Sequence, residues 1–258
     1  MQRVRPKKQL GQHFLNDKNI AQRIVSSLDA SSVDAVLEIG PGMGVLTEML
    51  LERFGEKLFA AEVDIESIEY LSESLPKLKD RLIHADFLSY QLDNILGGKI
   101  AIIGNFPYNI SSQIFFKVIE NRDSVIEVVG MVQREVGQRI CEPPGSKTYG
   151  ILSVLLQAYF DIQYLFTVSE GVFTPPPKVK SAVIRLTRNS TINLSCNEKL
   201  FHKVVKAGFN QRRKMLRNSI RSAFGDIKEV HPLFDKRPEQ LSVAEFVELT
   251  NHIEKQIG

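Results

Sequence analysis

The chain has 258 residues, 43% of them hydrophobic and 24% charged. That is enough apolar content for a sizeable core and too much for global disorder. Net charge is only +3, and two cysteines far apart in sequence, Cys141 and Cys196, fit reduced thiols in a cytosolic protein rather than a disulfide scaffold or a metal cluster. No apolar run has the length of a membrane span, and residues 1–15 lack the apolar block of a signal peptide. The expected location is therefore cytoplasmic, with no membrane and no metal.

The first eight residues carry four bases and no acid, and the overlapping stretch PKKQLGQHFLND (6–17) reads by composition as a basic tail. Apolar runs then alternate with helical patterns. Strands are expected at VDAVLEI (33–39), KLFAAEV (57–63), RLIHA (81–85), KIAIIG (99–104) and SVIEVVGM (124–131), with two more at QYLFTV (163–168) and KSAVIRL (180–186). Helices fall between them, such as VLTEMLLERF (45–54) and ESIEYLSESL (66–75). This alternation predicts an α/β fold: a mostly parallel seven-stranded sheet with helices on both faces. The last two strands have no helix-length spacer, which predicts an antiparallel pair at one edge. The polar stretch TRNSTINLSCN (187–197) reads as a linker. The predicted division is residues 1–190 for the sheet domain and 191–258 for a small helical one.

Glycines 40, 42 and 44, in EIGPGMGVLT, sit between the first strand and its helix. Such a turn lets backbone approach a ligand and aims helix N–H groups at it. The dehydrogenase fingerprint would place its third glycine at 45, where Val45 stands, so the spacing excludes that class. Glu62 ends the second strand, where an acid can accept both hydroxyls of a ribose. Asp86 follows the third strand in HADF; its carboxylate could accept from an adenine amino group, with Phe87 beside the ring. These features converge on the crevice where open α/β sheets bind ligands.

The fourth strand delivers GNFPYN (104–109) to the same edge. An exocyclic adenine amine is a poor nucleophile because its lone pair is delocalised into the ring. Two acceptors aimed at its N–H bonds pull it toward a nucleophilic geometry. The Asn105 side-chain oxygen is one candidate acceptor; the carbonyl of Phe106 or of Pro107 is the other, with Pro107 fixing the backbone. Tyr108 offers a face on which an extruded base stacks. Further on, FNQRRKMLRNSIR sets Arg213, Arg217 and Arg221 at four-residue spacing on an expected helix. Between Lys199 and Arg221 eight bases (199, 203, 206, 212, 213, 214, 217, 221) occur without an acid. Arginine forks suit phosphate oxygens, so Arg212, Arg213, Lys214, Arg217 and Arg221 are expected to meet structured RNA.

Taken together, GQHFLND (11–17), EIGPGMGVLT (38–47), AAEVD (60–64), ADF (85–87), GNFPYNISS (104–112), FTPPPKVKSAV (173–183) and FNQRRKMLRNSI (209–220) resemble the class I S-adenosylmethionine methyltransferases. Within them, the match is to the KsgA-type adenosine dimethyltransferases of ribosomal RNA, over nearly the whole chain. The family usually has Leu where this chain has Phe106 and often Asn where it has His13. The resemblance implies the role given above to Asn105, Phe106, Pro107 and Tyr108 toward an adenine amine, and S-adenosylmethionine as methyl donor, held by His13, Leu15, Gly40, Gly42, Glu62, Asp86, Phe87 and Asn105. It implies that His13 and Leu15 close over the methionine end, that Lys7 and Lys8 lie near the RNA entry, and that Phe173 and the loop carrying Lys178 border the target pocket. The implied substrate is two adjacent adenosines in the 3′-terminal hairpin loop of small-subunit (16S) ribosomal RNA, within an assembling 30S particle, and a monomer suffices. A same-fold enzyme acting on large-subunit RNA, an inert RNA-binding assembly factor and a DNA adenine methylase are the alternatives. Intact Glu62, Asp86 and Asn105 speak against the inert reading.

Overall fold

The computed structural model describes residues 4–92, 98–225 and 227–257. All seven anticipated strands form one sheet. They are β2 (Ala35–Ile39), β3 (Leu58–Glu62), β4 (Leu82–His84), β5 (Ile100–Asn105), β6 (Val125–Gln133), β7 (Phe160–Val168) and β9 (Ser181–Arg188), in the order β4-β3-β2-β5-β6-β9-β7. Strand β2 pairs in parallel with β3 on one side and β5 on the other, so the strand order reverses there. The crevice of the fold opens at such a reversal. Strand β9 inserts between β6 and the edge strand β7, running antiparallel to β6 with Gln133 opposite Ser181.

Burial explains the apolar runs. Ile100 through Ile103 are at most 1% exposed, as are Val128 and Val129, because helices cover both faces. One face packs α1 (Lys18–Ser27) and α2 (Val45–Phe54) through Ile24, Val25, Leu46 and Leu50 onto Val36, Ala60 and Ile103. The Asp17 side chain caps α1, accepting from Asn19 N at 2.8 Å and Ile20 N at 3.1 Å. On the other face, the Phe106 ring meets Phe115 of α4 (Ser111–Glu120) edge-on, centroids 5.9 Å apart. A Cβ at Gly104 would fall 2.6 Å from the Ile39 carbonyl, and one at Gly130 would overlap the Phe106 ring. Two glycines on neighbouring strands thus make the slot that this aromatic fills.

A second, two-residue ladder had no signal in the sequence. Strand β1 (Phe14–Leu15) runs antiparallel to β8 (Phe173–Thr174), with Phe14 opposite Thr174 and Leu15 opposite Phe173. The N-terminal stretch from Lys7 on is therefore built into the fold rather than left as a tail.

The chain separates into two compact units. One runs up to Gly137 and includes Asp161–Arg188; the other joins Gln138–Phe160 to the residues from Asn189 on. The crossing at 188/189 falls close to the predicted division at 190, while 138–160 adds a segment to the helical unit. Within that unit α6 (Ile151–Gln157), whose Leu152 to Leu156 are all buried, packs with α7 (Glu198–Asn210) and α9 (Val243–Ile257). The anticipated helix RRKMLRNSIR is shorter than expected. Residues 211–215 form a turn, and α8 begins at Leu216. Leu216 and Ile220 are fully buried, and Leu216 lies against Gly208 of α7, so the chain must reverse before it can dock them. Arg213 accordingly sits in the turn, not on one helical face with Arg217 and Arg221.

Candidate active site at the carboxyl edge of the sheet

The ends of β2, β3 and β5 and the segment before β1 enclose one cleft, lined by His13, Gly40, Gly42, Glu62, Asn105, Pro107 and Tyr108 among others. Gly40, Gly42 and Gly44 all have positive φ, between +56° and +81°. Gly42 has a second reason to be glycine, since a Cβ there would lie 2.9 Å from the Phe14 ring. The N-terminal segment presses directly on the turn.

Glu62 is 5% exposed. Its carboxylate accepts from Gly42 N (3.1 Å), Val63 N (2.9 Å) and Asp64 N (3.0 Å). Burial pushes its pKa up and these three N–H groups pull it back, leaving it above the ordinary carboxylate value. Asp64 moves the other way. Burial alone would raise it, but hydrogen bonds from Lys7, Gln12 and Ser67 outweigh burial and hold it below its usual value. The Lys7 ammonium is thereby committed to Asp64 and to Glu66 (3.1 Å). It clasps the N-terminal segment to the residues that follow β3. Lys8 is exposed. Glu38 is 1% exposed and sits beside the buried Thr47 hydroxyl, whose hydrogen bond lowers its pKa against the effect of burial. Burial pushes the Glu38 carboxyl up to about 8.

Asn105 donates its amide N–H to the His13 carbonyl at 2.8 Å. That bond uses one of the two amide N–H groups and anchors a side chain that lines the cleft, with Oδ1 as its acceptor atom. The Pro107 carbonyl accepts from Ile110 N at 3.2 Å in the turn leading to α4, so the Phe106 carbonyl is the better second acceptor. The Phe106 side chain is 1% exposed and belongs to the core. Tyr108 stacks on His13, centroids 5.4 Å apart and planes inclined by 29°. His13 Nδ1 lies 2.7 Å from the Pro175 carbonyl. Burial pushes the Tyr108 phenol above its ordinary value, against a hydrogen bond from Ser181.

Other anticipated residues fall in different places. Asp86 is exposed, its Oδ1 accepting from Leu88 N at 2.9 Å. Phe87 is buried under Lys117, whose ammonium lies 5.3 Å from its centroid and also donates to the Leu88 carbonyl at 2.9 Å. Phe87 is thus wall rather than open stacking face. Leu15 and Phe173 are 4% and 3% exposed and pack into the core. Phe173 consequently anchors β8 and offers no surface to RNA, which corrects that expectation, whereas Lys178 of the same loop is exposed. In the helical unit Arg212 donates to the Tyr149 carbonyl at 2.9 Å, and Arg217 is ion-paired with Asp235. Arg213, Lys214 and Arg221 are exposed. Sequence reasoning missed Gln12, Val63 and Ser181. Only Val63 left a signal: an apolar residue directly after the strand-end acid, 46% exposed and lining the cleft.

The arrangement suits a cationic nucleoside ligand beside an amine acceptor pair. Glu62 supplies a carboxylate, the glycine turn supplies close backbone approach, and nothing lies within 4 Å of where a Cβ on Gly40 would stand. A family model for ribosomal RNA adenine dimethylase matches residues 3–255. A relative from Parabacteroides distasonis, named ribosomal RNA small subunit methyltransferase A, is 58% identical over 264 residues, covering 100% of this chain and 99% of its own. Another of that name, from Flavobacterium johnsoniae, is 56% identical and covers 98% of each chain. Among solved structures, a dimethyladenosine transferase from Plasmodium falciparum has a TM-score of 0.77 at 23% identity, covering 95% of this chain and 98% of that one. The 23S rRNA methyltransferase ErmE has a TM-score of 0.66 at 24% identity, covering 93% and 99%. These two structural likenesses establish the fold.

Proposed function

The chain belongs to the ribosomal RNA adenine dimethylase family, and from that premise we propose that it dimethylates N6 of two adjacent adenosines in the 3′-terminal hairpin loop of small-subunit ribosomal RNA. It is a class I methyltransferase that uses S-adenosylmethionine. The relatives that share more than half of its residues carry the small-subunit name. The observation that carries the reading is the Asn105 amide, which lines the cleft and is anchored through its nitrogen to the His13 carbonyl.

The residues present fit the methyl donor. Glu62 would hold the ribose hydroxyls, Gly40 and Gly42 would admit the methionine part, and Asp86 would meet the adenine amine. When bound, the donor supplies an activated methyl group on a sulfonium, an excellent leaving group. The protein's part is then positioning more than base catalysis. Asn105 Oδ1 and the Phe106 carbonyl accept the two N–H bonds of the target amine and turn its lone pair toward the cleft. Tyr108 supports the base, a contact worth about 1–3 kcal/mol per stacked base. No side chain in the motif has to take the proton; it leaves to water from the alkylated nitrogen.

The sheet unit is the catalytic part and the helical unit the RNA-binding part, with Arg213, Lys214 and Arg221 toward phosphates. The substrate is an assembling small subunit in the cytoplasm, and a monomer is sufficient. The decisive experiment offers labelled methyl donor to immature small subunits from a strain lacking this activity, followed by nucleoside analysis. N6,N6-dimethyladenosine in small-subunit RNA is expected. Small subunits that take up no label, while large-subunit RNA offered in a parallel reaction does, would overturn the assignment.

A further inference from the structure

The Tyr108 phenol has a partner inside the fold that lies outside its own motif. Its oxygen is 2.5 Å from Ser181 Oγ, across 73 positions of sequence. Ser181 is fully buried and opens β9, where it stands opposite Gln133 of β6. The serine hydroxyl is therefore carried on a paired strand and not on a loop. At the other end of the contact, Tyr108 lies in the turn after β5, and its ring lies against His13. His13 is in turn held by the Pro175 carbonyl and by the Asn105 amide.

A tyrosine ring has two rotatable bonds. Contact with one face restrains its tilt but lets the ring slide and pivot about the Cα–Cβ axis. A hydrogen bond at the far end of the ring, to an atom fixed in a sheet, removes that pivot. We propose that Ser181 is a positioning residue for the RNA substrate: it locks the Tyr108 ring at the angle against which an extruded adenine lies, and it does so without touching the cofactor. The proposal rests on the reading of Tyr108 as the support for the target base.

The test uses the full chain as wild type, Ser181→Ala, Tyr108→Phe and the double variant. The readouts are steady-state methyl transfer to unmethylated small subunits, calorimetric cofactor affinity and melting temperature. Ser181→Ala is expected to lower kcat/KM for the RNA substrate by about tenfold, the upper range for one neutral hydrogen bond. Cofactor affinity should stay within about twofold. Because the serine acts through the phenol oxygen, Ser181→Ala should add nothing to Tyr108→Phe. Additive losses, a loss confined to cofactor affinity, or unchanged kcat/KM would each overturn the proposal. If Ser181→Ala does not fold, Tyr108→Phe carries the test alone, and wild-type turnover by that variant overturns it. A wild type that transfers no methyl to adenine overturns both this proposal and the functional reading beneath it. An active wild type with an indifferent Ser181→Ala overturns this proposal alone.

Discussion

Polar groups at the carboxyl edge of the sheet and basic groups in the helical unit answer to different constraints. Around the cleft the side chains are buried or half-buried, and most have a fixed partner: Glu62 holds three N–H groups, Asn105 holds His13, Tyr108 holds Ser181. In the helical unit, basic residues next to each other differ. Arg212 is bonded to the Tyr149 carbonyl, whereas Arg213 and Lys214 stand exposed in a turn. A site that reorients one amine needs geometry, and geometry needs satisfied partners. A surface that attracts phosphates needs charge, which acts over several ångströms and tolerates loose placement.

The sharpest way to break the contrast is to loosen the sheet edge from beneath. Phe106→Ala should destabilise the protein by about 3–5 kcal/mol, the usual cost of emptying an aromatic core site, measured by denaturant unfolding; Phe106→Leu should lose far less. Asn105→Ala should lower kcat by about 10²–10³-fold, the scale for removing one preorganised hydrogen-bonding group from a transition state. Cofactor binding by calorimetry should survive. Normal turnover would remove the acceptor role.

Glu38 is the buried carboxyl of this region, and its pH behaviour follows. Its folded pKa of about 8 stands above the ordinary 4.5, so the folded state binds the extra proton between those values. Stability is fully present below about pH 4.5 and is lost as pH rises toward 8. Glu38→Gln should remove most of that slope, so the variant gains on the wild type by roughly 2–4 kcal/mol between pH 5 and 8. Parallel unfolding curves for the two proteins across this window would refute the assignment.

Two paired variants complete the comparison in the helical unit. Arg212→Ala should lower stability by about 1–3 kcal/mol, because buried carbonyls lose a donor, with little change in salt dependence. Arg213→Ala combined with Lys214→Ala should leave the melting temperature alone. It should weaken RNA binding and flatten the plot of log affinity against log salt by roughly two phosphates' worth. An unchanged slope would mean that these two cations do not meet phosphate.

The parts legible in the sequence were those that obey local rules. Strands buried on both faces must read as apolar runs, so all seven could be found, and an acid directly after such a run marks the sheet edge, as Glu62 does. What escaped depends on tertiary partners. The chain reversal at 211–215 is imposed by the docking of Leu216 against Gly208; helical spacing of arginines carries no trace of it. The basic residue Lys7 is spent on Asp64, 57 positions away, and composition cannot distinguish that from a solvated charge. Phe173 is expected to border the target pocket, and nothing in its local sequence reveals the pairing with Leu15 that buries it.

The short ladder between Phe14 and Thr174 also bears on how the enzyme comes into being. Asn16 and Thr174, joined side chain to side chain at 2.6 Å, are separated by 158 positions. A chain emerging from the ribosome exposes its first cofactor wall long before the strand that seals it has been made. Such distant closure is entropically slow. Methyl-donor binding should therefore be absent in nascent chains halted before β8 and appear only once that strand and β9 are out, so that this maker of ribosomes becomes competent late in its own synthesis.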